Sequence, residues 1–133
     1  MIAFDTNVLV RHYLTDPDEP GQSDRARRLV ENALSKGQTI FLSHIVVCES
    51  LWVLGDCYKI SRKAQIEFVD SLLHDSPFRV FSPELISKAL KAFRESRADF
   101  ADCLIAVEAR ASGCTKTFTF DKKARAIAGM ELA

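Results

Sequence analysis

Apolar residues in this chain fall into two rhythms, and the switches between them lay out the elements. Short apolar runs alternate with longer stretches in which apolar positions return every three to four residues. The first run, "IAFD", predicts a strand over Ile2–Asp5, followed by a helix from about Thr6 to Leu14. "TDPDEPG" holds two prolines and a glycine and reads as a loop. "SDRARRLVENALSKG" then sets Ala26, Leu29, Val30, Ala33 and Leu34 at helical spacing, with Ser23 as N-cap and Gly37 as stop.

"TIFLS" reads as a second strand, and "HIVVCESLWVLGDCYK" as a long, mostly buried helix. "SRKAQIEFVDSLLHD" is amphipathic, with Ile66, Val69, Leu72 and Leu73 on one side. "FRVF", flanked by Pro77 and Pro83, is a third strand; "PELISKALKAFRESR" and "FADCLIAVEARASG" follow as helices. "KTFTF" is a further strand, and the residues after Gly129 supply a short final one. Trp52 and the nine phenylalanines read as core. This alternation predicts an α/β domain with a largely parallel sheet. At 133 residues, a single domain over 1–133 is expected.

Composition narrows the function classes. No stretch approaches the ~18 apolar residues of a membrane span, and the first residues lack the features of a signal peptide. A soluble, cytoplasmic protein without membrane contact is expected. Eighteen basic residues balance eighteen acidic ones, which argues against a protein that simply coats phosphate backbones but leaves local basic patches open. Cys48, Cys57, Cys103 and Cys114 lack C-x-x-C spacing and read as buried free thiols rather than zinc ligands or disulfides. His12, His44 and His74 are scattered, and no phosphate-binding glycine motif is present.

The acids carry the chemical signal. Asp5 ends the first strand and Asp121 follows "KTFTF", and in parallel α/β sheets ligands gather at the carboxyl ends of strands. Glu49 interrupts the apolar "IVVCESLWVL", and Asp102 lies in "FADCLIAVEA" with Asp99 three residues earlier, on the same helical face. An ionised carboxylate in apolar surroundings must pair, hydrogen-bond or bind a metal. Neither helical segment offers a comparably placed lysine or arginine. Hard cations such as Mg²⁺ and Mn²⁺ prefer oxygen ligands, and with water positions left open they suit phosphodiester hydrolysis. Blander readings stand beside this one. Asp5, Asp99 and Asp121 could each be a helix cap, and Asp102 could simply favour the helix dipole. Glu49, mid-helix, is the hardest to explain by capping.

Four blocks in order, "IAFDTNVLV", "CES", "ADFADCLIA" and "TFTFD", resemble the PIN-domain ribonucleases, and most closely the VapC-type toxins of toxin–antitoxin pairs. The likeness spans essentially the whole chain. It implies a three-layer α/β/α sandwich with a short, mainly parallel central sheet, and a Mg²⁺- or Mn²⁺-dependent endoribonuclease. Asp5, Glu49, Asp102 and Asp121 fall on the family's four acids, as catalytic residues and metal ligands. Asp99, in the same block, completes the metal shell or contacts it through water. Thr6, Asn7 and Thr119 match positions that orient the acids or their waters. The resemblance further implies an RNA substrate, a small antitoxin partner and a homodimer. Arg11, Lys122, Lys123 and Arg125, close in sequence to Asp5 or Asp121, are candidate phosphate contacts; solvated surface charge is the plainer account of each.

Two rival functions remain. A haloacid-dehalogenase-like phosphatase also begins with a strand ending in aspartate, but that class needs D-x-D and Asn7 stands at the second acid. A catalytically silent RNA- or protein-binding module would be favoured by a missing acid, and none is missing.

Overall fold

Parallel strands need long crossovers, and the helices of this chain provide them. The computed structural model describes residues 1–75 and 77–133. They form two compact units, Met1–Phe81 and Ser82–Ala133.

In the first unit β1 (Ile2–Ala3), β2 (Ile40–Leu42) and β3 (Phe78–Val80) make a parallel sheet with β2 central. Ile40 faces Ile2 on one side and Phe78 on the other. Ile40 and Leu42 are fully buried, as befits the middle strand of a covered parallel sheet. α1 (Thr6–Tyr13) and α2 (Pro20–Ser35) link β1 to β2; α3 (His44–Trp52) and α4 (Arg62–His74) link β2 to β3. Leu9, Val10, Val47, Val69 and Leu72 carry the apolar faces of these helices into the core.

α2 starts earlier than the sequence suggests. Pro20 occupies its first turn, where the missing N–H removes no bond, so the helix begins inside "TDPDEPG" and Glu19 is the N-cap. Ser23 is therefore interior, and its buried hydroxyl donates to the Leu14 carbonyl at 3.0 Å. Ala26, Val30 and Ala33 are buried as expected, whereas Leu29 and Leu34 face out. Gly37 does end the helix. At φ +61° it lets its own N–H reach the Leu34 carbonyl (3.2 Å) and the Gln38 N–H reach Ala33 (2.8 Å), the paired closure that favours glycine.

The long helix expected through Lys59 breaks after Trp52 into a π-helical turn, Val53–Cys57. Its wide bond runs from the Tyr58 N–H to the Val53 carbonyl at 3.2 Å. At Gly55 a Cβ would lie 2.9 Å from the Gln65 amide nitrogen, so a larger residue would displace the end of the side chain that holds the Ile60 carbonyl.

In the second unit α5 (Pro83–Glu95) and α6 (Phe100–Ala111) pack through Ile86, Leu90, Phe93, Phe100 and Leu104. The Phe93 and Phe100 rings meet edge to face at 5.6 Å. β4 (Thr117–Thr119) and β5 (Met130–Leu132) pair in parallel, Thr117 opposite Met130, so the short final strand is present. A 3₁₀ turn, Ala124–Ala126, links them. The Lys116 ammonium pairs with Glu131 across the two strands at 2.8 Å.

Every strand pairing among the described residues is parallel, as the alternation predicts. The aromatic expectation needs correction: Trp52, Phe81, Phe118 and Phe120 are exposed; Trp52 and Phe118 lie on the outer faces of α3 and β4, and Phe81 and Phe120 each stand one residue past the end of a strand. The four thiols are free, but only Cys103 is buried; Cys48 is half-buried, and Cys57 and Cys114 lie at the surface beyond the packed helix faces. No helix among the described residues is long and apolar enough to cross a membrane.

Candidate metal centre

The second unit gathers three of the five acids. Asp99 stands at the N-cap position of α6, Asp102 in that helix's first turn, and Asp121 two residues past β4. One carboxylate oxygen from each lies within 4.8 Å of the other two. Local chemistry places them. The Asp121 N–H donates to the Thr119 hydroxyl at 3.0 Å, and Asp121 Oδ1 accepts from the Lys123 N–H at 2.8 Å, which folds the chain back after β4. The capping account of Asp121 is thus partly met, through one oxygen. Asp99 behaves otherwise: its side chain makes no cap bond, although the position suits one.

Asp102 is the half-buried member of the trio. Burial holds its carboxyl above its ordinary value, and the charges of Asp99 and Asp121 push the same way. A cation among them removes both penalties. The dimensions fit: Mg²⁺–oxygen bonds of about 2.0–2.1 Å put opposite ligands roughly 4.2 Å apart. The donor set, all carboxylate oxygen, suits a hard cation.

The other two acids lie in the first unit. Asp5 is the N-cap of α1, and its Oδ1 accepts from the Val8 N–H at 3.0 Å. The backbone there is extended, but β1 closes at Ala3 rather than at Asp5, so the carboxylate lies two residues past the strand, where its side chain already caps α1. Glu49 is exposed on α3 rather than enclosed by apolar neighbours. Its own face of the helix carries Ile45 and Trp52, 69% and 63% exposed, so solvent rather than core surrounds it. The inference that its charge must be paired to offset burial therefore does not hold. Thr6 is buried and Asn7 exposed in the first turn of α1.

Among the candidate phosphate contacts, Lys122, Lys123 and Arg125 are exposed beside Asp121. Arg11 is engaged elsewhere. Its guanidinium donates to Asp16 at 2.8 Å, Gln22 at 3.1 Å and the Tyr58 hydroxyl at 2.9 Å, and serves as an internal strut. A cleft of about 340 Å³ between α1 and α2 is lined by Asp5, Asn7, Arg11, Gln22, Arg25 and Leu29, among others. Arg25 and Gln22 were not singled out from the sequence, where Arg25, Arg27 and Arg28 look alike. A larger cavity of about 500 Å³, beside the C-terminal half of α6, holds none of the five acids.

Parallel strands linked by helices, with three carboxylates collected where β4 ends and α6 begins, define an α/β protein with an acidic cluster that could hold a cation. The chain belongs to the PIN-domain family, whose model matches residues 2–130 and so runs through both units. It is also similar to a VapC ribonuclease of Aquifex aeolicus (strain VF5), 28% identical over 92% of this chain and 89% of that protein.

Proposed function

We propose that this protein is a divalent-metal-dependent endoribonuclease that hydrolyses RNA phosphodiester bonds, and that it is the toxin of a toxin–antitoxin pair. The observation that carries the reading is the Asp99–Asp102–Asp121 trio, with oxygens mutually within 4.8 Å. Family membership and likeness to a ribonuclease along nearly the whole chain support it.

A bound Mg²⁺ or Mn²⁺ would supply Lewis acidity and lower the pKa of the attacking water. Asp102 enters such a centre from the rigid first turn of α6. Asp121 is held by the Thr119 hydroxyl, a positioning role for Thr119. Asp99, free of cap duty, keeps both oxygens available. Asp5 and Glu49 are assigned to the same reaction on the family likeness, with Thr6 and Asn7 beside Asp5 as orienting groups. The single-domain reading of residues 1–133, a cytoplasmic location, a small antitoxin and a homodimer belong to this proposal on the same ground.

Purified protein, free of any antitoxin, is incubated with single-stranded and loop RNA in Mn²⁺, Mg²⁺ or EDTA. Cleavage only with the divalent ion, lost in Asp102→Asn, is the expected result. Metal binding without cleavage across transfer and ribosomal RNA loops would sink the nuclease reading in favour of a binding module. Hydrolysis of a generic phosphate monoester would point instead to a phosphatase.

A further inference from the structure

The cleft between α1 and α2 sets charges of opposite sign on two rigid walls. On one wall Asp5 has Oδ1 fixed by the Val8 N–H, and Asn7, in the first turn of α1, lines the same cleft. On the other stands Arg25 of α2. The walls cannot drift apart easily. Small buried residues, Ser23 and Ala26, bring α2 close to α1, and the Ser23 hydroxyl ties it to the Leu14 carbonyl. Gln22 is bonded to Arg11, which is itself anchored to Asp16 and Tyr58.

These bonds sort the cleft's two guanidiniums. Arg11 is neutralised by Asp16, with both side chains largely shielded from solvent. Arg25 is exposed, with no hydrogen bond or ion pair among the described residues; the neighbouring Asp24 carboxylate instead lies 3.8 Å from Arg27. A preformed cleft thus presents one uncommitted planar guanidinium beside a carboxylate that the proposed reaction uses. Arginine's fork matches phosphate oxygens in a bidentate manner. Without Arg25, Asp5 would repel a polyanion entering here. Leu29, 44% exposed on the same wall, offers apolar surface to a sugar or base edge.

We infer that the α1–α2 cleft is a substrate subsite in which Arg25 binds a backbone phosphate of single-stranded RNA, making it a positioning residue next to Asp5. The inference rests on the nuclease reading for its substrate class, but not on the metal.

The test uses the full chain and a labelled single-stranded RNA, kept intact for binding measurements by an Asp102→Asn background. Arg25→Gln weakens binding roughly tenfold at moderate salt, and the slope of log affinity against log salt shrinks by about one phosphate contact. With Asp102 restored, KM rises while kcat changes little. Arg25→Lys recovers part of the affinity, since it returns the charge without the fork. Arg28→Gln, on the same helix but outside the cleft, is the control and leaves both readouts unchanged. Arg25 is exposed, so a matching melting temperature and circular dichroism spectrum are expected for each variant.

Unchanged affinity and salt slope in Arg25→Gln overturn the subsite, whether or not RNA is cut. If the parent cuts RNA and Arg25→Gln matches it in KM, the subsite falls and the nuclease reading stands. If the parent cuts nothing yet binds RNA through Arg25, the nuclease reading falls and the subsite stands. A loss confined to binding of a glutamate-rich peptide, with RNA unaffected, makes the cleft a protein-docking site and overturns the proposal.

Discussion

Helices α1 and α6 both open on an aspartate in extended conformation, and the two carboxylates do different things. Asp5 accepts the Val8 N–H and closes the first turn of α1. Asp99 holds the equivalent place on α6 and leaves its turn without a side-chain cap, its carboxylate lying instead with Asp102 and Asp121. A capping aspartate is accounted for by helix stability alone. One that forgoes the cap bond to sit among like charges needs another reason, and the proposed cation would supply it.

The sharpest way to break this contrast is catalytic. Asp102→Asn, which keeps volume and removes charge, should reduce RNA cleavage by about a hundredfold or more, beyond the 10–100-fold typical of residues that only support a metal ligand. Initial rates at saturating Mn²⁺ measure it. Asp99→Asn should share much of that loss; a rate near wild type would return Asp99 to the role of a plain helix-start residue. Metal-induced stabilisation comes next. At about 100 times its dissociation constant, Mn²⁺ should stabilise the fold by roughly 2.7 kcal/mol, seen as a rise in melting temperature. Asp99→Asn and Asp121→Asn should each shrink that rise, and an undiminished rise would place the ion elsewhere.

Truncation separates the two caps without any metal. In EDTA, Asp5→Ala should cost about 1 kcal/mol by urea denaturation, the usual worth of a lost N-cap, whereas Asp99→Ala should cost a few tenths at most. Equal losses would erase the distinction between the two helix starts.

The smallest effect is a pH response of opposite sign in the two units. His12, packed against Tyr13 and Phe78, is held below its ordinary value of 6.5 by burial and then by Arg27. Its folded form therefore resists the proton, and its contribution is lost as pH falls through 6.5 toward the lowered value. Asp102, held above its ordinary 3.8, works in reverse. Its contribution is present below 3.8 and is lost as pH rises through the raised value. In EDTA, His12→Leu should flatten the acid-side decline in urea midpoint, and Asp102→Asn should remove the opposing gain. Parallel curves for both variants and wild type would contradict these assignments.

Much of this was legible in the sequence where one local rule decides the outcome. Gly37 ends α2 because its position needs a positive φ, and the apolar run marks β2 because a buried central parallel strand carries little else. The Asp99–Asp102 pair followed from helical spacing, and its meeting with Asp121 is a tertiary event to which the order of motifs pointed. Reading failed where two rules compete. Ser23 looks like a cap until Pro20 starts the helix a turn earlier, and Trp52 looks like core until a π-helical turn begins just after it. Glu49 looked enclosed because its sequence neighbours are apolar, yet Ile45 and Trp52 share its exposed face. Arg11 looked available because hydrogen bonds to Gln22 and Tyr58, distant in sequence, leave no trace in a local pattern.

The π-helical turn at Val53–Cys57 also bears on descent. Such a turn is, in effect, a single residue inserted into an α-helix. Relatives that lack it should align here with a one-residue gap and continue the helix that begins at His44 in regular register. Deleting one residue from Val53–Cys57 of this chain would close the wide turn to α-helical pitch and draw the residues after it about 1.5 Å back along the axis. Tyr58 would move with them, out of its present 2.9 Å bond with the Arg11 guanidinium. Lineages with the shorter helix should therefore differ at both positions together, so that the gap and the arginine–tyrosine pair are inherited as one character.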